Sequence, residues 1–230
     1  MIAALYVRED GPYMGRADVD PWPESRDARK YAGPWPTVQH PPCPRWGNLW
    51  WTARHLGKGL GDDDGCFAAS LASLREWGGV LEHPEGSRAF GPAPGFSLGT
   101  PTRGGWTQPD PMWRPREWVC SVDQGRYGHM ARKRTWLLYV GDVRPLDLDW
   151  RDGSTGVWVA SGPGAKTAAE RAAKGITLMV DSQAGKDAKE LTPPAFAEAL
   201  IEVARRSVEN QSHRQRELTP PAFADRVAAK

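Results

Sequence analysis

Apolar and polar positions alternate along the chain in two rhythms. Ile2 to Val7 is a short apolar run of strand length, the pattern of a strand buried on both faces. Thr37 to Gln39 predicts a second short strand, and Val80 and Leu81 begin a third that ends in Glu82-His83-Pro84. Trp118 to Val122 and Thr135 to Val140 predict two more, with Gln124 to Arg134 between them. A helical rhythm takes over from Asp62 to Trp77, where Phe67, Leu71 and Leu74 share a face and Gly78-Gly79 is a stop signal. It returns from Ala195 to Arg206, with Phe196, Leu200 and Val203 aligned. The intervening polar stretches read as loops: Arg8 to Gly15, the proline-rich Asp18 to Pro36 with at most one short helix at Glu24 to Tyr31, and the long Gly86 to Pro115.

Strands interleaved with helices predict an α/β fold with a twisted, mostly parallel sheet. Three regions are expected: a core over residues 1–145, a weakly structured connector over 146–188, and a helical C-terminal appendage over 189–230. The connector holds the loop-like Gly153 to Gly164 and a small Ala-rich helix, Ala165 to Lys174. The last region contains a repeat, because Glu190-Leu191-Thr192-Pro193-Pro194-Ala195-Phe196-Ala197 recurs as Glu217 to Ala224. In each copy Thr can cap a helix whose first turn accepts proline.

A net charge of +2 provides no whole-chain attraction for nucleic acid, so such binding needs a local basic patch. Arg205, Arg206, His213, Arg214 and Arg216 form the most basic cluster, readable as a solvated tail or a phosphate contact. Twelve Trp against five Phe and five Tyr allow base stacking, although indoles fill cores equally well. Three scattered cysteines make no disulfide framework and point to a reducing cytoplasm. The opening residues are too short an apolar run for a signal peptide, and no run has membrane-spanning length.

Reactive side chains fall at strand ends. Cys43 lies in His40-Pro41-Pro42-Cys43-Pro44-Arg45-Trp46-Gly47, where three prolines forbid a helix interior and leave a rigid loop. Glu82 closes the strand in Leu81-Glu82-His83-Pro84, and Arg132 and Arg134 precede the last strand. Carboxyl ends of parallel strands line one crevice, where the three segments can converge. A thiol, a carboxylate and paired guanidiniums suit attack on a pyrimidine ring. A thiolate adds at C6, an acid beside N3 stabilises the enamine, and C5 becomes nucleophilic. Arginines can hold the thiolate, the ring carbonyl or a phosphate. A structural reading competes at each position: Cys43 as a small buried hydrophobe, Glu82 as the ion-pair partner of Arg132 or Arg134. A zinc-deaminase reading fails, because His83-Pro84-Glu85 follows Pro42-Cys43 and Trp46 fills the second cysteine's place; no metal site is expected.

At these residues the chain resembles the cytosine-C5 DNA methyltransferases, in particular divergent phage and prophage members. The matching stretches are HPPCPRWG (40–47), GVLEHPEGS (79–87) and QGRYGHMARKRTWLLYVG (124–141), and the likeness covers roughly residues 37–141. The resemblance implies a Rossmann-like methyltransferase fold with a truncated N-terminal cofactor region, Cys43 as nucleophile, Glu82 at N3, and Arg132 and Arg134 as the two arginines. It implies S-adenosylmethionine as cofactor, with Tyr6, Gly11, Gly15 and Asp20 as candidate contacts. The family's Phe-X-Gly-X-Gly turn is replaced here by Arg8-Glu9-Asp10-Gly11-Pro12-Tyr13-Met14-Gly15. The implied partner is double-stranded DNA with a flipped base, in a bacterial cytoplasm. Candidate nucleic-acid contacts are His40, Arg45, Trp46, His83, Tyr127, His129, Arg214 and Arg216, with Trp46, Trp50 or Trp51 available to fill the vacated stack. Two other readings remain open: the same ring chemistry with another electrophile or a free pyrimidine nucleotide, and a non-catalytic nucleic-acid-binding relic.

Overall fold

The computed structural model describes residues 1–47, 50–51, 57–129, 133–151 and 191–209. Its elements run β1 (Ile2–Val7), β2 (Val19–Pro23), β3 (Thr37–Gln39), α1 (Cys66–Trp77), β4 (Gly79–Pro84), β5 (Glu117–Asp123), β6 (Arg134–Val140) and α2 (Pro194–Arg206). One mixed six-stranded sheet has the order β2-β1-β3-β4-β6-β5. The pairs β1–β2, β1–β3 and β3–β4 are parallel, whereas β6 is antiparallel to both neighbours. Five strands therefore share a direction, and β6 alone reverses it. The fold is α/β. Among the described residues, no helix is long and apolar enough to cross a membrane.

Period-two alternation sorts the strand side chains between two faces. Ile2, Ala4, Val38, Val80, Cys120, Val122, Leu137 and Tyr139 share one core cluster with Phe196, Leu200, Ile201 and Val203 of α2. Leu81, Val119, Leu138 and Val140 face the other way, against Phe67, Leu71 and Leu74 of α1 and Phe90 and Leu98 of the loop that follows β4. The sheet is thus covered on both sides.

Several expectations shift in detail. α1 begins at Cys66 rather than Asp62, because the Asp63 carboxylate accepts from the Gly65 and Phe67 N–H groups while Gly65 turns the chain at φ 76°. The short helix expected over Glu24 to Tyr31 is a single 3-10 turn, Ala28–Lys30, capped by Asp27. β2 forms despite Pro21 and Pro23, which is possible because it is an edge strand with an outward side that owes no ladder bonds. α2 is no appendage, since six of its residues are buried in the main cluster, each large one contributing roughly 1.5–3 kcal/mol. Arg16 pins it through Glu198 at 2.7 Å, and Arg205 reaches back to Asp18. The helix expected at Ala165 to Lys174, the loop at Gly153 to Gly164 and the second repeat at Glu217 to Ala224 lie outside the described residues.

Candidate active site

From β1 the chain steps to one side to form β2, then crosses to the other side to form β3. That reversal opens a crevice beyond the carboxyl ends of β1 and β3, the place where open α/β sheets hold ligands. A cavity of about 1170 Å³ occupies it. Its walls come from Tyr6 to Asp10 at and beyond the end of β1, Pro23 to Arg29 at and beyond the end of β2, His40 and Pro42 after β3, and Asp64 and Cys66 at the start of α1. Tyr6 sits at φ 57°, in the left-handed region that non-glycine residues avoid, where the β1–β2 register slips. From there its hydroxyl crosses to donate to the Cys66 carbonyl at 3.2 Å. Burial pushes the Tyr6 phenol up to about 12.

The Cys43 loop is held by its neighbours. The Cys43 carbonyl accepts from Trp46 N at 3.0 Å and Gly47 N at 2.9 Å, closing a tight turn. Trp46 is the peg of that turn, buried against Phe67 and Phe96, with its indole N–H donating to Asp63 at 2.8 Å. Its carbonyl accepts from Arg88 N, and the Arg45 carbonyl from Gly61 N. Cys43 is an unlinked, partly exposed thiol at the top of this fixed turn.

Glu82 lies at the carboxyl end of β4, 8% exposed. Its Oε2 is 3.1 Å from His40 Nδ1, and its Oε1 accepts from Gln124 Nε2 at 3.2 Å. Gln124 also donates to Thr135 Oγ1 at 2.9 Å, and Tyr13 Oη lies 2.9 Å from His40 Nε2. Burial presses the Glu82 carboxyl upward, but the hydrogen bond from His40 and the charges of Lys133, His40 and His83 outweigh it and hold the group down at about 2. Glu82 is therefore a carboxylate at neutral pH.

His83 turns to the opposite face of the sheet. It packs edge-on against Phe67 and shares a 2.6 Å hydrogen bond with Ser87 Oγ, while burial drives its imidazole down to about 4. The unfolded chain takes up a proton near the ordinary value of 6.5, and the folded chain takes it up only near 4. Stability is consequently undiminished above pH 6.5, declines by about 3 kcal/mol on acidification towards pH 4, and levels off below. Glu82 acts in a lower window: its contribution is complete above the ordinary 4.5 and is lost as pH falls towards about 2. Urea unfolding between pH 8 and pH 3 measures this. A flat profile from pH 6.5 to 4 would show that His83 is not buried in its neutral form.

The other candidate residues are distributed as follows. Arg134 opens β6 at the same end of the sheet as Glu82, but its guanidinium faces Glu85 at 3.6 Å, and Arg103 meets the same carboxylate at 3.5 Å. Arg132, Arg214 and Arg216 lie outside the described residues. Of the cofactor candidates only Tyr6 lines the cavity. Gly11 and Gly15 belong to the turn beyond β1, and Asp20 lies at the amino end of β2, bound to Trp22 Nε1 at 2.8 Å and Arg26 at 2.6 Å. Among the nucleic-acid candidates, His40 faces the cavity and Arg45 is partly exposed. Trp46, His83 and His129 are buried, so Trp46 serves the core rather than a base stack. Tyr127 packs on Phe196 and accepts from Asp149 N at 2.8 Å. Trp50 is partly exposed and Trp51 more so.

Sequence reasoning overlooked Gln124, Tyr13 and the cavity wall from Glu24 to Arg29. Gln124 stands at the head of the 124–141 segment and carried a signal there; the wall residues look like ordinary loop. Comparison of the chain with protein-family models, curated proteins and solved structures returns no match.

Proposed function

We propose that this chain modifies C5 of cytosine in DNA, with Cys43 as nucleophile and S-adenosylmethionine as methyl donor, on a Rossmann-like scaffold. One observation carries the reading: the rigid Cys43 turn and Glu82 stand at the same carboxyl ends of parallel strands, joined by the His40–Glu82 hydrogen bond, beside a cavity of cofactor size. Cys43 adds to C6, and Glu82 with Gln124 meets the N3 side of the ring. Arg134 stands at the rim as a candidate phosphate or carbonyl contact.

The cavity suits a cationic donor. Five carboxylates (Glu9, Asp10, Glu24, Asp27 and Asp64) line it with three guanidiniums (Arg8, Arg26 and Arg29). In this reading Glu24, just beyond the end of β2, would accept from ribose hydroxyls, Tyr6 would flank the purine, and the arginines would meet the carboxylate; all of them line the cavity. Bound there, the donor supplies an electrophilic methyl group. Isothermal titration with S-adenosylhomocysteine is the test, with binding expected in the micromolar range and weakened about tenfold by Glu24→Ala. Absence of binding to a folded sample removes the S-adenosylmethionine reading.

A second reading, ring chemistry with a different electrophile or a free pyrimidine nucleotide, is favoured by the glycines. Gly11 and Gly15 stand outside the cavity wall, so the turn beyond β1 does not form the usual cradle. It is distinguished by a Cys43 adduct with a 5-fluoropyrimidine in the absence of S-adenosylmethionine binding.

A further inference from the structure

Tyr13, His40 and Glu82 form a continuous line of hydrogen bonds that pyrimidine chemistry by Cys43 and Glu82 alone does not need. Tyr13 comes from the turn after β1, His40 from the end of β3, and Glu82 from the end of β4. The two contacts of His40 occupy both its ring nitrogens, Nδ1 on Glu82 Oε2 at 3.1 Å and Nε2 on Tyr13 Oη at 2.9 Å. Tyr13 is fully buried, and burial together with the Glu82 charge keeps its hydroxyl protonated. A hydroxyl can donate to a neutral imidazole nitrogen or, after rotating its hydrogen, accept from a protonated one. The line can therefore hold one proton more or fewer with no heavy atom displaced. His40 also lines the cavity, so this line reaches the space where a substrate would lie.

We infer that Tyr13, His40 and Glu82 constitute a proton relay, in which His40 lends Glu82 the proton that Glu82 presents to N3 of the pyrimidine. The inference rests on the proposed pyrimidine chemistry and assigns His40 and Tyr13 as positioning residues acting through Glu82. An ionised Glu82 has no proton of its own to give, and its other neighbour, Gln124, is an amide that cannot relay one. The charged groups acting on the line are Lys133 near Glu82 and Arg16 near Tyr13; His83, neutral above about pH 4, adds a charge beside Glu82 only in acid. Lys133 favours the ionised Glu82 carboxylate, and Arg16 acts against the burial and the Glu82 charge that keep the Tyr13 hydroxyl protonated.

The steps balance. The Cys43 thiolate pair forms the S–C6 bond, the C5–C6 π pair moves to C4–C5, and the C4–N3 π pair settles on N3. N3 takes a proton from the Glu82 carboxyl, which has received it from His40 Nδ1. The C4–C5 π pair would then bond the donor's methyl carbon while the N3 lone pair restores C4–N3, the donor's sulfur keeping the pair of the bond that breaks. Loss of the C5 proton to water restores the C5–C6 bond and expels the thiolate. N3 returns its proton through Glu82 to His40, so the relay ends as it began.

Single-turnover methyl transfer to duplex DNA across pH 6 to 9 tests the relay, using wild type, His40→Gln and Tyr13→Phe. His40→Gln keeps a donor to Glu82 but carries no labile proton. It is expected to lower kcat by about 10²-fold, with KM within about threefold, and to abolish the decline of rate at high pH. Tyr13→Phe should show the same change of profile with a smaller loss. An unchanged pH profile in His40→Gln overturns the relay, and unaltered thermal melting excludes misfolding as the cause. A wild type that neither transfers methyl nor traps 5-fluorocytosine overturns the pyrimidine reading instead. In that event nitrogen-15 NMR of the histidine rings still decides: a His40 that titrates identically in wild type and Glu82→Gln overturns the relay, and coupled titration upholds the proton-sharing line itself.

Discussion

Under the proposed cytosine chemistry, Cys43→Ala is expected to lose methyl transfer into DNA by on the order of 10⁴-fold or more, with the fold intact. The loss is large because the reaction has no lesser route: without a pair added at C6, C5 is not nucleophilic. The fold is expected to survive because backbone bonds and the Trp46 anchor hold the turn. Its bonds run from the Cys43 carbonyl to Trp46 and Gly47, and its anchor is the Trp46 indole on Asp63. Mass spectrometry of protein incubated with 5-fluorocytosine DNA and S-adenosylmethionine gives a direct reading. A stable adduct in wild type, absent in Cys43→Ala, is the expected result. An adduct that persists in Cys43→Ala would place the nucleophile elsewhere. DNA retention that is salt-sensitive and indifferent to Cys43→Ser, with no adduct, would favour a binding relic.

Gly79→Ala is expected to be the most damaging single change to stability, at about 3–5 kcal/mol. Two constraints coincide there. Gly79 lies at φ 121°, where an L side chain is strained, and an added Cβ would stand 2.0 Å from the Thr37 carbonyl oxygen. That neighbour is backbone of β3, paired in register with Gly79, and cannot move without breaking the centre of the sheet. The site lies at the amino end of β4, three residues before Glu82 and about 10 Å from it along the strand. The variant should therefore lower the urea midpoint sharply, and the pH profile of any remaining activity should be unchanged. A loss below about 1 kcal/mol would show that β3 and β4 separate readily at this point.

Much of this arrangement was legible in the residues. The apolar runs in β1, β4, β5 and β6 are strong signals because alternate side chains serve two cores, and the stripe of Phe196, Leu200 and Val203 marks α2 equally well. The Cys43 loop was legible through its prolines. β2 was not, because Pro21 and Pro23 erase the strand pattern and only its place at the sheet edge excuses them. The role of Trp46 was hidden for a different reason: an indole three residues after a cysteine suits base stacking and core filling alike, and only Asp63, twenty residues nearer α1 than Cys43, decides for the core. Asp20 illustrates the limit of reading an acid next to a strand, since direction matters and this one lies at the wrong end of β2. The partners of Glu82 come from three separate segments at His40, Gln124 and Lys133, a convergence that spacing alone does not disclose.

The placement of α2 bears on what counts as one folding unit. Phe196, Leu200, Ile201 and Val203 complete an interior whose opposite wall is built from β1, β3, β4, β5 and β6. On the face covered by α2, residues 1–151 supply one apolar half and residues 191–209 the other, whereas the opposite face is closed by α1 and the loop that follows β4. The strand ends that carry Cys43 and Glu82 are aligned by a sheet that needs this distant helix as its second cover. In this chain covalent distance and thermodynamic distance diverge: a segment far along the sequence from Cys43 closes one face of the sheet whose strand ends lead to Cys43 and Glu82.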